Sequence, residues 1–255
     1  MRSWCDKLAS TPAVGYRFAN QYEPANSILE AFSPLFVKWM RGDTQTFKIV
    51  SQEPFGVQFT TDDGFHYGVD HTRVWVEFRH SMKAKLVSGG PPVLEMMSRA
   101  MPYTQLLPVV SKRVIDAVAL LPSTKTKTLT QVGVIARTAV DEDDLPPGIA
   151  RFIKYVGRPW KGLVNQYNLQ IVSQIGEGKG WSDRCIHTLT KTEDPEQLLT
   201  VNFDWQRSFK DGRSITQESL KQVTEEAEKV STKYFEDLAE GNRFDEEILL
   251  SAARA

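Results

Sequence analysis

Leu198-Leu-Thr-Val-Asn-Phe-Asp-Trp205, then Lys210-Asp-Gly-Arg213, then the run from Ser214 to Gly241, is the stretch that decides the fold. Leu199, Val201, Phe203 and Trp205 alternate with Thr200, Asn202 and Asp204, which predicts a strand with one apolar face. Lys210 to Arg213 reads as a turn. Beyond it Leu220, Val223, Ala227, Val230, Tyr234 and Leu238 recur in steps of three and four, drawing one stripe along a helix. Lys221, Glu225, Glu226, Glu228, Lys229 and Glu236 fill the rest of the surface. Ser214 is the expected cap, Gln217 closes a capping box, and Gly241 is the stop. A one-faced strand and a one-striped helix each need a cover, so the pair predicts a helix laid across a sheet. The stripe also suits a coiled-coil seam with a second copy, but it spans barely three heptads and the strand needs covering.

Working outward, the composition is that of a globular chain. Apolar residues make up 41% and charged residues 25% of 255, enough for a substantial core. Lys plus Arg is 31 and Asp plus Glu 32, so the net charge of −1 supplies no overall pull toward nucleic acid or an anionic membrane. Cys5 and Cys185 are the two cysteines, too few for a disulfide framework. No apolar run reaches the length of a membrane span and the first residues lack a basic-then-apolar signal, so the expectation is a cytoplasmic protein with no membrane partner.

The remaining elements are expected in this order. Residues 1–25 read as irregular, broken by Pro12, Gly15 and Pro24. Ser27 to Met40 has helical spacing, with an interruption expected near Ser33 because of Pro34. Three strands follow, Gln45 to Gln52, Gly56 to Thr61 and His66 to His80, with Asp62-Asp63-Gly64 as a hairpin turn. Val93 to Ala100 begins helically, and Leu106 to Leu121 is a second long amphipathic helix. Thr128 to Val140 is a central strand in which Gly133 predicts a bulge or close packing against a helix. Gly148 to Val156 is a short helix, and Leu163 to Ile175 with Trp181 to Thr190 form a hairpin around Gly176-Glu-Gly-Lys-Gly180. Residues 242–255 are a short helix or tail. The fold class is therefore α+β, one domain over residues 1–255, with mostly antiparallel sheet covered by two long amphipathic helices. The recurrence of three strands before a long helix raises a duplicated strand-strand-strand-helix arrangement.

Little in the sequence spells chemistry. His66, His71, His80 and His187 are scattered, and no HxH, HExxH or CxxC spacing occurs, so no metal site, cofactor or catalytic residue is expected. Gly176 to Gly180 lies between strands rather than before a helix, where a phosphate loop needs to be. The acidic pairs at Asp62-Asp63, Asp141 to Asp144 and Glu193-Asp194 adjoin turn residues. Cys185, beside Ile186 in an alternating strand, reads as structural. The single segment with a binding pattern is 151–161. There Arg151, Lys154, Arg158 and Lys161 recur beside Tyr155 and Trp160, a mixture of cations and aromatics that suits single-stranded nucleic acid. Against it stands the solvated face of a short helix with Phe152, Ile153 and Val156 turned inward.

Three stretches carry a resemblance: Val69-Asp-His-Thr-Arg-Val-Trp-Val-Glu-Phe78, Gln131-Val-Gly-Val-Ile-Ala136, and Leu198 to Trp205 with its helix. Taken in order over roughly residues 45–240, they resemble a sporadically distributed, mostly bacterial family of uncharacterised proteins of about this size. The resemblance implies one domain and no known catalytic residues. The reading from residues and resemblance together is a non-enzymatic protein-interaction or regulatory module with a protein partner or self-association. The alternative is a nucleic-acid-binding protein that uses Arg151, Lys154, Arg158, Trp160 and Lys161.

Overall fold

The structure, a computed structural model, describes residues 6, 11–19, 25–42, 46–70, 72–80, 82–85, 93–96, 101–121, 128–140, 144–157, 166–191 and 199–243. Among these the order is β1 (Thr11–Phe18), α1 (Ala25–Gly42), β2 (Phe47–Glu53), β3 (Gly56–Thr61), β4 (Phe65–Asp70), β5 (Arg73–Phe78), β6 (Met82–Lys85), β7 (Val93–Met96), α2 (Tyr103–Leu120), β8 (Thr128–Val140), α3 (Pro147–Gly157), β9 (Tyr167–Gly178), β10 (Trp181–Lys191), β11 (Leu199–Ser214) and α4 (Gln217–Glu240). Nine strands make one sheet in the order β2-β3-β4-β5-β1-β8-β11-β10-β9, every neighbouring pair antiparallel, and β6-β7 is a separate hairpin. The fold is α+β with a large antiparallel sheet and four helices among the described residues. None of those helices is long and apolar enough to cross a membrane.

One face of the sheet holds the core. Val14, Tyr16 and Phe18 of β1 lie beside Val74 and Val76 of β5 and Leu129, Val132 and Val134 of β8, all buried. Trp205 and Phe203 continue the layer on β11, and Phe59 and Tyr67 on β3 and β4. The helices close over this side. Phe32 of α1 meets Phe59 edge-on at 5.3 Å, Phe235 of α4 meets Phe203 at 4.6 Å, and the Tyr16 hydroxyl is hydrogen-bonded to Thr224 of α4. The α4 stripe is core, with Leu220, Val223, Ala227, Tyr234 and Leu238 buried and Val230 half-buried. Arg207 pins α4 to the sheet near the hairpin end. Its guanidinium donates to both carboxylate oxygens of Asp183 at 2.7 and 2.9 Å, pairs with Glu226, and lies 4.2 Å from the Trp181 ring centroid.

Several expected boundaries are corrected. Residues 11–18, expected to be irregular, form a strand at the middle of the sheet. Pro12 is tolerated there because pairing with β5 starts only at Ala13, so the missing N–H falls beyond that ladder. The helix containing Pro34 is continuous, with Pro34 on its exposed side. His66 to His80 is two strands rather than one, because the Asp70 side chain accepts from the backbone N–H groups of Thr72 and Arg73 and turns the chain. Val93 to Met96 is strand, not helix start. The Lys210 to Arg213 turn is an irregularity inside a strand that runs to Ser214, where the register with β8 shifts between Ser208 and Arg213. Thr216, not Ser214, caps α4, and its capping partner is Ser219, while Gly241 ends the helix at φ 92°. Gly133 lies in regular pairing with no bulge and faces away from the helices. The expected tail at 244–255 lies outside the described residues, as do 1–5, 7–10 and 20–24 of the N-terminal segment.

Candidate binding site on the open face of the sheet

Because side chains alternate along a strand, the residues between the core positions all emerge on the other face. Across the middle of that open face the register aligns Gly68, Trp75, Gly15, Gly133, Gln206 and Arg184 on six successive strands. Gly15 and Gly133 are direct partners on β1 and β8. Two missing side chains at the centre of a sheet leave a trough of about 340 Å³. Its rim is Trp75 and Arg73 of β5, Arg17 of β1, Gln131 and Arg137 of β8, and Asp204 and Gln206 of β11.

The walls are ordered by their own hydrogen bonds. The Trp75 ring leans away from the trough over Gly68, where an added Cβ would sit 1.9 Å from ring carbon Cζ2. Only a glycine admits that approach. The Arg73 guanidinium lies 5.4 Å from the Trp75 ring centroid and donates through Nε to Asp70 at 2.9 Å. On the far wall Gln131 Nε2 and Arg184 Nη2 both donate to Gln206 Oε1 at 2.7 Å, and Gln206 Nε2 donates to Asp204 Oδ2 at 2.8 Å. This network fixes the Gln206 amide and presents it at the trough's edge. Burial raises the Asp204 carboxyl above the usual carboxylate range, opposed by the Gln206 hydrogen bond and by Arg184 and Arg137. Glu77 is matched by Arg79 at 2.9 Å.

The trough tests its own glycines. A methyl group at Gly133 would find nothing nearer than the Trp205 carbonyl oxygen at 3.5 Å and Gln206 Cγ at 3.9 Å, ordinary contact distances. At Gly15 it would meet Trp75 Cβ at 3.1 Å, tighter than ordinary contact, so close strand packing favours glycine there. Neither glycine has a positive φ. The fold itself does not demand glycine at 133.

Of the residues singled out from sequence, two fall on α3. Arg151 and Lys154 are exposed on α3. Arg151 donates to the Glu240 carbonyl at 3.2 Å and to that of Pro147 at 3.4 Å, so it caps the C-terminal carbonyls of α4. Gly148 at the start of α3 lets the two helix ends meet, since an added Cβ would lie 2.5 Å from Gly241 N. Arg158, Trp160 and Lys161 lie outside the described residues, and neither Arg151 nor Lys154 lines the trough.

Of the histidines, His66 stands on the open face opposite Glu77, His80 lies edge-on to Phe78 at 5.3 Å, and His71 is outside the described residues. His187 is buried on the covered face with both ring nitrogens unpartnered among the described residues, and burial lowers its pKa to about 4. The Cys185 thiol is buried and pushed up to about 11, mainly by burial, which makes it a poor nucleophile. Among the described residues no group of three or more His, Cys, Asp and Glu side chains is placed to hold a metal ion.

A second hollow, about 600 Å³, runs between α2 and α4. It is lined by solvated pairs such as Lys112 with Asp116 at 2.5 Å and Lys221 with Glu225 at 3.8 Å, the ordinary dress of an exposed helix surface. The trough differs in converging side chains from four strands on a floor without any. No protein-family model matches the chain, and no curated protein matches it closely enough to count as a relative.

Proposed function

We propose that this chain is a non-enzymatic interaction module that receives an acidic segment of a protein partner on the open face of its sheet, over Gly15 and Gly133. The observation that carries this reading is the glycine pair. Glycine within a strand costs roughly 0.5–1 kcal/mol relative to alanine, and here two sit side by side in the central strands. Since position 133 has room for a methyl group, the glycine there serves something outside the fold. What the trough offers such a visitor is close backbone approach, a Trp75 edge, an oriented Gln206 amide, and arginines at 17, 73 and 137. Arg17 is exposed, and guanidinium groups are suited to fork around carboxylates.

A second reading has its own support. Trp75 with Arg73 beside it, on an arginine-bearing sheet, offers a stacking platform and phosphate contacts, so a single strand of nucleic acid lies across the same face.

The same glycine pair supports the duplicated arrangement. Outward from the β1–β8 seam each half runs strand, helix, antiparallel meander, helix, and Val14-Gly15 occupies the place in its half that Val132-Gly133 occupies in the other. The trough then sits on the local two-fold axis between the halves. The resemblance to the uncharacterised bacterial family, with its single domain and no known catalytic residues, fits the same proposal.

Comparative affinity capture tests it. Tagged wild type and Gly133→Leu, matched in thermal stability, are used as baits with and without nuclease. A protein retained by wild type and lost with Gly133→Leu, unaffected by nuclease, supports the acidic-segment reading. Retained nucleic acid that is released steeply by salt supports the second. Identical capture by both baits rejects the open face as the recognition surface.

A further inference from the structure

Among the described residues the sheet ends in two edge strands, and they are built differently. Counted outward from the seam, one half adds β5, β4, β3 and β2, and the other adds β11, β10 and β9. Among the described residues the shorter half has no strand in the place that β2 fills beside β3, and β9 has β10 as its one strand neighbour.

Edge strands expose unpaired N–H and C=O groups, and proteins blunt them with lysines, prolines, bulges or shortness. Strand β2 carries such guards. It is seven residues long, bears Lys48 and Glu53, and is broken in mid-strand where the register skips Val50. Strand β9 is twelve residues long, and Tyr167-Asn-Leu-Gln-Ile-Val-Ser-Gln-Ile-Gly176 contains no charge and no proline. Its register irregularity, at Ile175, lies toward the hairpin tip and leaves Tyr167 to Gln174 in regular pairing with β10. Val172 stands 56% exposed on the open face of this edge, while Tyr167, Leu169 and Ile171 on the covered side are only half-buried.

We infer that β9 is a self-pairing edge, and that two copies of this chain join β9 to β9, antiparallel about a two-fold axis, into one continuous sheet. A strand lying beside β9 must turn apolar residues to the helix side and uncharged polar residues to the open side, as β9 itself does with Leu169 and Ile171 against Asn168, Gln170 and Gln174. Antiparallel pairing of identical strands about a two-fold axis perpendicular to the sheet keeps each face on its own side. Helices of both copies then share one side and the two troughs share the other. No register of the pairing opposes two charges within Tyr167 to Gln174, because that segment has none. Half-buried Tyr167, Leu169 and Ile171 gain cover from their counterparts, and Val172 of each copy approaches the other across the axis. This inference stands on the edge alone and does not depend on what the trough binds.

Sedimentation equilibrium over a wide concentration range, on wild type, Gln170→Lys/Val172→Lys and Val50→Lys, tests it. Gln170, Val172 and Val50 are all exposed, and Val50 is 56% exposed on the opposite edge. The expected result is a wild-type dimer, a monomeric β9 variant with an unchanged circular dichroism spectrum, and a Val50→Lys protein that still dimerises. A wild type that is monomeric throughout, or a dimer insensitive to the β9 lysines, overturns the proposal. Hydrogen exchange on wild type alone gives a second reading, free of any variant's folding. Amides of Tyr167 to Gln174 should exchange more slowly at high than at low concentration, and equal rates overturn the inference.

Discussion

The two faces of the same central strands do opposite work. On the covered face β1 and β8 present Val14, Tyr16, Val132 and Val134, all buried under helices. One residue further along each strand, the open face presents Gly15 and Gly133 and leaves a hollow. The covered face obeys packing, where lost volume costs stability. The open face gives up side chains at its centre, although position 133 has room for a methyl group that would stabilise the strand. Alternation lets one short strand carry both characters, since its packed and its bare positions have opposite parity.

Substitutions should separate the faces in order of size. The largest effect belongs to the covered face near the hairpin. Asp183→Ala leaves the Arg207 guanidinium buried without its bidentate partner, and should cost ~3–5 kcal/mol in urea denaturation. A loss under about 1 kcal/mol would show that Glu226 and the tryptophan faces suffice for Arg207.

His187 comes next. Its pKa falls from 6.5 to about 4 on folding, so the unfolded chain takes up the proton first as pH drops. Stability should decline between those two values, by on the order of 3 kcal/mol once pH reaches the lower one. Asp204 and Glu228, both raised by burial, bind protons more readily when folded and act in the opposite direction. Comparing wild type with His187→Leu at several pH values isolates the histidine, and parallel curves would contradict its buried neutral state.

Smaller still is Tyr16→Phe. It removes the hydroxyl bonded to Thr224, whose own hydroxyl keeps its donation to the Leu220 carbonyl at 2.7 Å. Thermal and urea melts should register about 0.5–1.5 kcal/mol. The smallest effect on stability belongs to the open face. Gly133→Ala should change unfolding by no more than about 0.5–1 kcal/mol, in the stabilising direction, while weakening partner binding. A destabilised Gly133→Ala would erase the distinction between the faces at that position.

The division also explains what could be read from the sequence. The bounds Thr128 to Val140 for β8 and the start of β10 at Trp181 followed from β-branched runs between turn residues. The α4 stripe is legible because helix periodicity and burial coincide there. Strand β1 was hidden by two of its own residues. Pro12 and Gly15 look like breakers, although Val14, Tyr16 and Phe18 alternate as a strand requires. The trough leaves no local signature, since Trp75, Gly15, Gly133 and Gln206 are brought together only by a register across strands far apart in sequence. The repeated Val-Gly at 14–15 and 132–133 was the one available clue. Of the basic segment at 151–161, Arg151 is engaged in closing a helix end, and Arg158, Trp160 and Lys161 lie outside the described residues.

Site-specific photocrosslinking tests the central claim most directly. A photoreactive side chain replaces Ile135, which lines the trough, or Lys229, exposed on α4, and cells expressing each protein are irradiated. The account predicts a discrete adduct with a protein partner from position 135 that disappears when Gly133→Leu is added, and no such adduct from position 229. An adduct from position 229 alone, or one from position 135 that survives Gly133→Leu, would contradict recognition through the open face.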